Sequence, residues 1–278
     1  MSTEHSSTPP ADEQSQAGNV EVERGSASAG DPAEGHLTAG PLVGLGAAVA
    51  AALVMWSALQ ACYPLFNIPE ELAALPGNAP LEKLAEQQAA TTRADCSNRI
   101  FFLGLFGALM GSFLAGAEGY GRGRWRRAAL AGAAGFLLGV AFGCLAGYLG
   151  HLISQRYRSA DVLSELNISI RLHAAVLATL GAGVGLAMGI QARGFRTAAL
   201  CAVGGALAGG LAAMLYAFVA AVLLPAARTH LVIPRRVTAR LLWVGLPALL
   251  WGLALPTLGR PRRTPGKPPT APHPSGGP

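Results

Sequence analysis

Side chains able to act as nucleophile, base or metal ligand are few in this chain, and their spacing assembles no complete set. Ser112 follows Gly111, and His173 lies in a later apolar segment. A serine nucleophile needs a base within hydrogen-bond reach. The local sequence Met110-Gly111-Ser112-Phe113 lacks a glycine after the serine, and the last two apolar segments carry no histidine. Ser112 therefore reads as a small residue in a helix groove, and His173 as an interfacial residue. Of the four cysteines, Cys144 and Cys201 fall inside apolar segments, where a thiol behaves as a small hydrophobe. Cys62 and Cys96 bracket one polar loop. Facing an oxidising compartment they can form a disulfide, and otherwise they are two separate thiols. No CxxC and no Cys/His pair at ligand spacing points to a metal. The turn Gly119 to Arg127 alternates glycine as GxGxG, with no strand before it, which excludes a dinucleotide fingerprint. The expectation is no enzyme, no cofactor and no metal site.

The elements that carry these residues are membrane spans. Hydrophobic residues make up 51% of the 278 and charged residues only 13%, and the charges lie between long apolar runs. A soluble chain of this length needs a charged surface, so the class is an all-α integral membrane protein. The net charge of +6 arises from arginine clusters beside those runs. In a membrane protein such arginines mark loops that touch anionic lipid headgroups, so nucleic acid is not an expected partner. Arg122, Arg124, Arg126 and Arg127 form one basic turn and Arg193 and Arg196 another, both assigned to headgroup contact. Glu118, beside the first turn, is expected as an exposed charge, with Arg122 or Arg124 as its alternative partners.

Residues 1–38 are polar and acidic, without apolar periodicity, and read as a disordered tail. Residues 39–258 read as a six-helix membrane domain with spans at 42–62, 100–117, 128–149, 172–190, 198–224 and 241–258. The first span, preceded by no basic region, is expected as an uncleaved anchor. Ala58 to Cys62 resembles a bacterial lipobox, which would lipidate Cys62, but the long acidic lead argues against cleavage there. The loop 63–99 is expected to form a small outer cap of two short helices, opened by Pro69 and Pro80. Pro247 is expected to kink the sixth span. Residues 259–278, rich in proline and basic residues, read as a second disordered tail.

Small residues recur every fourth position in the middle four spans, which puts them on one helix face. The rows are Gly107, Gly111, Ala115 and Gly119; Ala131, Gly135, Gly139, Gly143 and Gly147; Gly181, Gly185 and Gly189; and Cys201, Gly205, Gly209, Ala213 and Ala217. They are similar to glycine-zipper membrane hairpins, a packing motif that lets backbones approach closely. An offset of 70 residues lays Gly111, Gly119, Arg126, Gly135 and Gly139 onto Gly181, Gly189, Arg196, Gly205 and Gly209 without a gap. The rows thus predict two similar hairpins, spans two-three and four-five, in parallel repeat about an axis along the membrane normal. Both basic turns then share one side. The positive-inside bias makes that side cytoplasmic, with both termini, although Arg228, Arg235, Arg236 and Arg240 in the last outer loop pull against it.

None of the six apolar runs contains Asp, Glu, Lys or Arg, which disfavours a pump, a voltage sensor or a proton-coupled transporter. The resulting expectation is a structural or interaction component of a bacterial inner membrane, either a homo-oligomer or bound to another membrane protein. The alternative is a permease or channel subunit for a small uncharged solute, with a path lined by backbone.

Overall fold

The computed structural model describes residues 41–121, 125–157, 165–191, 194–224 and 231–258. The expected tails 1–38 and 259–278 lie outside the described residues, as do Arg122, Arg124 and Arg193. The described chain is all-helical: α1 (Pro41–Cys62), α2 (Glu70–Ala73), α3 (Leu81–Gly121), α4 (Trp125–Tyr157), α5 (Glu165–Ile190), α6 (Phe195–Leu223) and α7 (Val237–Leu258). All but α2 are long and apolar enough to cross a membrane. Each of the six is two-sided in packing rather than in polarity, because the outward side chains are as apolar as the inward ones. Leu130, Leu137, Leu207 and Val222 are all exposed, which suits a lipid surround and not water.

The helix boundaries fall near the apolar runs in α1, α6 and α7, while α4 runs on to Tyr157, α5 starts back at Glu165 and α3 departs furthest. Its 41 residues reach about 61 Å at 1.5 Å per residue, twice the roughly 30 Å of a bilayer core. Of the two short helices expected in 63–99, only the one after Pro69 stands alone, as α2. The one after Pro80 does not end. Its first turn starts from the Pro80 carbonyl, which accepts from Leu84 N at 3.1 Å, and the helix runs unbroken into the membrane segment. Ala85 to Ala94 is rich in good helix formers and holds no proline or glycine to stop it. α2 leans on this extension through Gln87 Nε2, which donates to the Leu72 carbonyl at 2.6 Å. α7 continues through both Pro247 and Pro256.

Around the bundle the neighbours run α1, α3, α4, α5, α6, α7 and back to α1, with α3 also touching α5 and α7, and α5 touching α7. Successive helices are antiparallel. The end of α1 meets the start of α7, where Trp56 Nε1 donates to the Val237 carbonyl at 3.4 Å. The start of α6 meets the end of α7, where a methyl group on Gly204 would strike Leu258. Alternate helices differ in depth. The apolar windows of α3, α5 and α7 are 56%, 61% and 44% buried, against 33%, 22% and 39% for α1, α4 and α6. Three helices running in one direction thus form an inner trio, and the other three lie outside it. Two of the three meet through rings: Phe106 of α3 lies 5.7 Å from Trp243 and 5.9 Å from Trp251 of α7, ring centre to ring centre.

The glycine rows sit where backbones touch. A methyl group on Gly107 would strike the Gly139 carbonyl and one on Gly111 the Gly135 carbonyl, each collision being reciprocal. Gly143 is pressed onto Leu103, and Gly119 lies where a methyl group would fall 2.7 Å from the Ala128 Cα. Between α5 and α6 the same holds for Gly181 with Gly205, Gly185 with Cys201, Gly189 with Ala198 and Gly209 with Leu177. No side chain larger than hydrogen fits these faces without parting the helices. Ser112 lies beside the α3–α4 seam, its hydroxyl donating to the Ala108 carbonyl at 2.7 Å, as a serine inside a helix does when it returns its proton to its own backbone.

Candidate functional site

Two polar assemblies occupy the end of the bundle where α1 leads to α3, α4 to α5, and α6 to α7, here the loop end; the opposite end is the turn end. The deeper one centres on His173. The sequence places this residue at an interface, but it is wholly buried, two helical turns inside α5. The correction has a physical cause: α5 extends back to Glu165, so a residue at the edge of the apolar run lies well within the helix. Trp243 Nε1 donates to His173 Nδ1 at 3.3 Å. An indole N–H can only donate, so Nδ1 is the acceptor and a neutral His173 carries its proton on Nε2. The Tyr216 ring of α6 stands edge-on to the imidazole at 4.9 Å, and Ser169, one turn before His173, is also fully buried. The Tyr216 hydroxyl is buried with no hydrogen-bond partner among the described residues. A second tryptophan, Trp251, donates to the Gly205 carbonyl at 3.0 Å, so each α7 indole fixes α7 to a different helix.

The shallower assembly holds two buried arginines that the sequence leaves in loops. Arg240 is 7% exposed and Arg99 is 9% exposed. Arg240 lies in the first turn of α7 and not in the basic loop before it, because the helix begins at Val237. Its Nε donates to the Pro234 carbonyl at 2.9 Å, and its Nη1 to the Leu59 carbonyl at 2.8 Å and to Gln60 Oε1 at 3.3 Å. The guanidinium also lies 5.0 Å from the centre of the Tyr63 ring. Leu59 sits in the last turn of α1, and its carbonyl also accepts from Tyr63 N at 3.3 Å; the helix end carries partial negative charge, so the cation stabilises it. Arg99 reaches the carbonyl of Gly150 at 3.3 Å and the hydroxyl of Ser154, joining α3 to α4. Asn98 fastens the chain leaving α1. Its Oδ1 accepts from the amides of Leu65 and Phe66 at 2.9 Å each, and its Nδ2 donates to the Phe66 carbonyl at 2.8 Å. Burial raises the Tyr63 phenol above its usual pKa and Asp95 raises it further, while Arg99, Arg240 and Arg235 pull it down. One phenol therefore lies within electrostatic reach of three guanidinium groups and one carboxylate.

The other candidate residues lie apart from these assemblies. Arg126, Arg127 and Arg196 are exposed at the turn end, with the Arg126 guanidinium 5.6 Å from the centre of the Trp125 ring. Glu118 is half-buried, and both partners expected for it lie outside the described residues. Cys62 is an exposed free thiol and Cys96 a half-buried one. Among the described residues no three His, Cys, Asp or Glu side chains are grouped to hold a metal ion. Sequence reasoning missed Asn98, Arg99 and Arg240. Asn98-Arg99 stands directly before one apolar run and Arg240 directly before another, and a polar residue abutting a span was the available signal.

Fold and site together fit a multi-pass integral membrane protein of six helices whose polar groups gather at one end. No protein-family model, curated protein or solved structure matches the chain.

Proposed function

We propose that the chain is a non-enzymatic structural or interaction component of a bacterial inner membrane, built on two duplicated glycine-zipper hairpins, α3–α4 and α5–α6. The observation that carries this reading is the filled centre of the bundle. Where the inner trio meets, Phe106, Trp243 and Trp251 are in ring contact and fully buried, so large side chains occupy the place a solute path would need. The duplication is supported by contacts that recur 70 residues apart: Gly111 on Gly135 and Gly181 on Gly205, then Gly119 on Ala128 and Gly189 on Ala198. In this reading the turn end, with Arg126, Arg127 and Arg196, faces the cytoplasm and anionic headgroups, together with both termini. Exposed apolar faces on α4 and α6 are available to lipid, a second copy or another membrane protein.

Reconstitution tests the function. Proteoliposomes are expected to shrink and re-swell in glycerol or urea gradients at the rate of protein-free vesicles. Faster swelling would replace this reading with a permease, for which the buried Ser169, His173 and Tyr216 group supplies the polar lining. Orientation is tested by thiol labelling in intact cells after reduction. Cys62 is expected to react without permeabilisation, and reaction only after permeabilisation would reverse the proposed sidedness.

A further inference from the structure

The Arg240 guanidinium carries a full charge into a buried place, yet every partner it has is neutral: two backbone carbonyls, the Gln60 amide oxygen and the Tyr63 ring. Among the described residues no carboxylate pairs with it. Carbonyl dipoles and a ring face offset part of the cost of burying a cation, but they leave its net charge in place. Beside it a second donor is unused. Gln60 Oε1 is turned to Arg240, which fixes the amide the other way round, and Gln60 Nε2 is buried with no partner. Arg235 stands exposed on the same side and acts on the Tyr63 phenol, though more weakly than the Asp95 carboxylate or Arg99 and Arg240 do. Gln60 is the third residue from the end of α1 and Arg240 the fourth residue of α7, so these groups lie together where two helix ends meet.

We infer that Gln60, Tyr63, Arg235 and Arg240 form an anion site at the loop end that takes a phosphate group. Phosphate suits the set because its oxygens accept from several N–H groups at once and its charge balances the buried guanidinium. The same chemistry is offered by the headgroup of an anionic phospholipid and by a soluble phosphate ester. The site is independent of the scaffold reading, since a permease could carry it equally well.

The test uses the full chain in maltoside detergent, which contains no phosphate. One arm adds phosphatidylglycerol and the other inorganic phosphate, with the thermal midpoint and retained lipid by native mass spectrometry as readouts. A rise in the phosphatidylglycerol arm alone identifies a lipid headgroup, and a rise with inorganic phosphate identifies a soluble source. Gln60→Glu places a carboxylate against Arg240 and supplies the counter-ion internally. It is expected to weaken binding about tenfold or more, while its midpoint without added anion equals or exceeds that of the unmodified chain. Arg235→Gln, at an exposed position, is expected to weaken binding without lowering the anion-free midpoint. No response in either arm, or unchanged binding in both variants, overturns the inference.

Discussion

Replacing Gly111 by alanine tests the packing on which the bundle rests. The added carbon would fall 2.8 Å from the Gly135 carbonyl carbon, and nearer still to its oxygen. Non-bonded carbons ordinarily sit about 3.5–4.0 Å apart, so α3 and α4 must part by roughly 1 Å. A gap of that size forfeits a quarter to a half of every contact along the seam, each worth about 0.1–0.2 kcal/mol. Alanine returns roughly 0.5–1 kcal/mol through its better helix propensity. Overpacking at such a site leaves a net loss of about 1–3 kcal/mol. The internal control is Gly210→Ala on α6, where the new methyl group meets nothing within 4 Å and only the propensity gain remains. The two variants should therefore move in opposite directions in reversible unfolding, followed by tryptophan fluorescence as a denaturing detergent replaces a mild one. Gly181→Ala should cost at least as much as Gly111→Ala, since its methyl group meets the Gly205 carbonyl carbon at 2.8 Å and Trp251 Nε1 at 2.7 Å. Equal shifts for Gly111→Ala and Gly210→Ala would refute close backbone packing as the source of stability.

Three further outcomes follow from the polar assemblies. A double-mutant cycle on His173→Phe and Trp243→Phe should give a coupling of about 0.5–1.5 kcal/mol, the net worth of one buried hydrogen bond, and zero coupling would remove the bond from the description. Asn98→Ala should accelerate amide hydrogen exchange at Leu65 and Phe66, whose N–H groups it alone receives, while exchange in the inner helices stays unchanged. Burial holds the Tyr63 phenol protonated above its usual 10.0, so the unfolded chain ionises first. Stability from this group is complete below pH 10.0 and is lost as the pH climbs through the higher folded-state value; Tyr63→Phe should flatten that alkaline decline.

The helical class and the six apolar helices were legible because length and hydropathy are properties of single segments. The glycine spacing of four was equally legible, since it states which face a small residue occupies. What lay beyond reach was the depth of residues at segment ends. Arg240 reads as loop because a cation ends an apolar run, and only the carbonyl of Leu59, 181 residues away, explains why the helix can start before it. His173 reads as interfacial for the same reason, and its acceptor role depends on an indole 70 residues later. The long α3 escaped a two-helix reading of 63–99 because Pro80 opens a helix, while where that helix ends depends on residues far downstream.

The ring of helices closes between its first and last members. Among the described helices α1 leaves the ribosome before the others and α7 after them, yet α7 supplies both indoles packed on Phe106 and the arginine that caps α1. The interior is therefore sealed only once α7 has been made. Until α7 arrives, Phe106 and His173 lack the tryptophan that covers them, and α1 has only α3 for a neighbour among the helices before it. A nascent chain halted before α7 would have its two glycine-seamed pairs, α3–α4 and α5–α6, around a middle that lacks both indoles, which makes the arrival of α7 the step that closes the bundle.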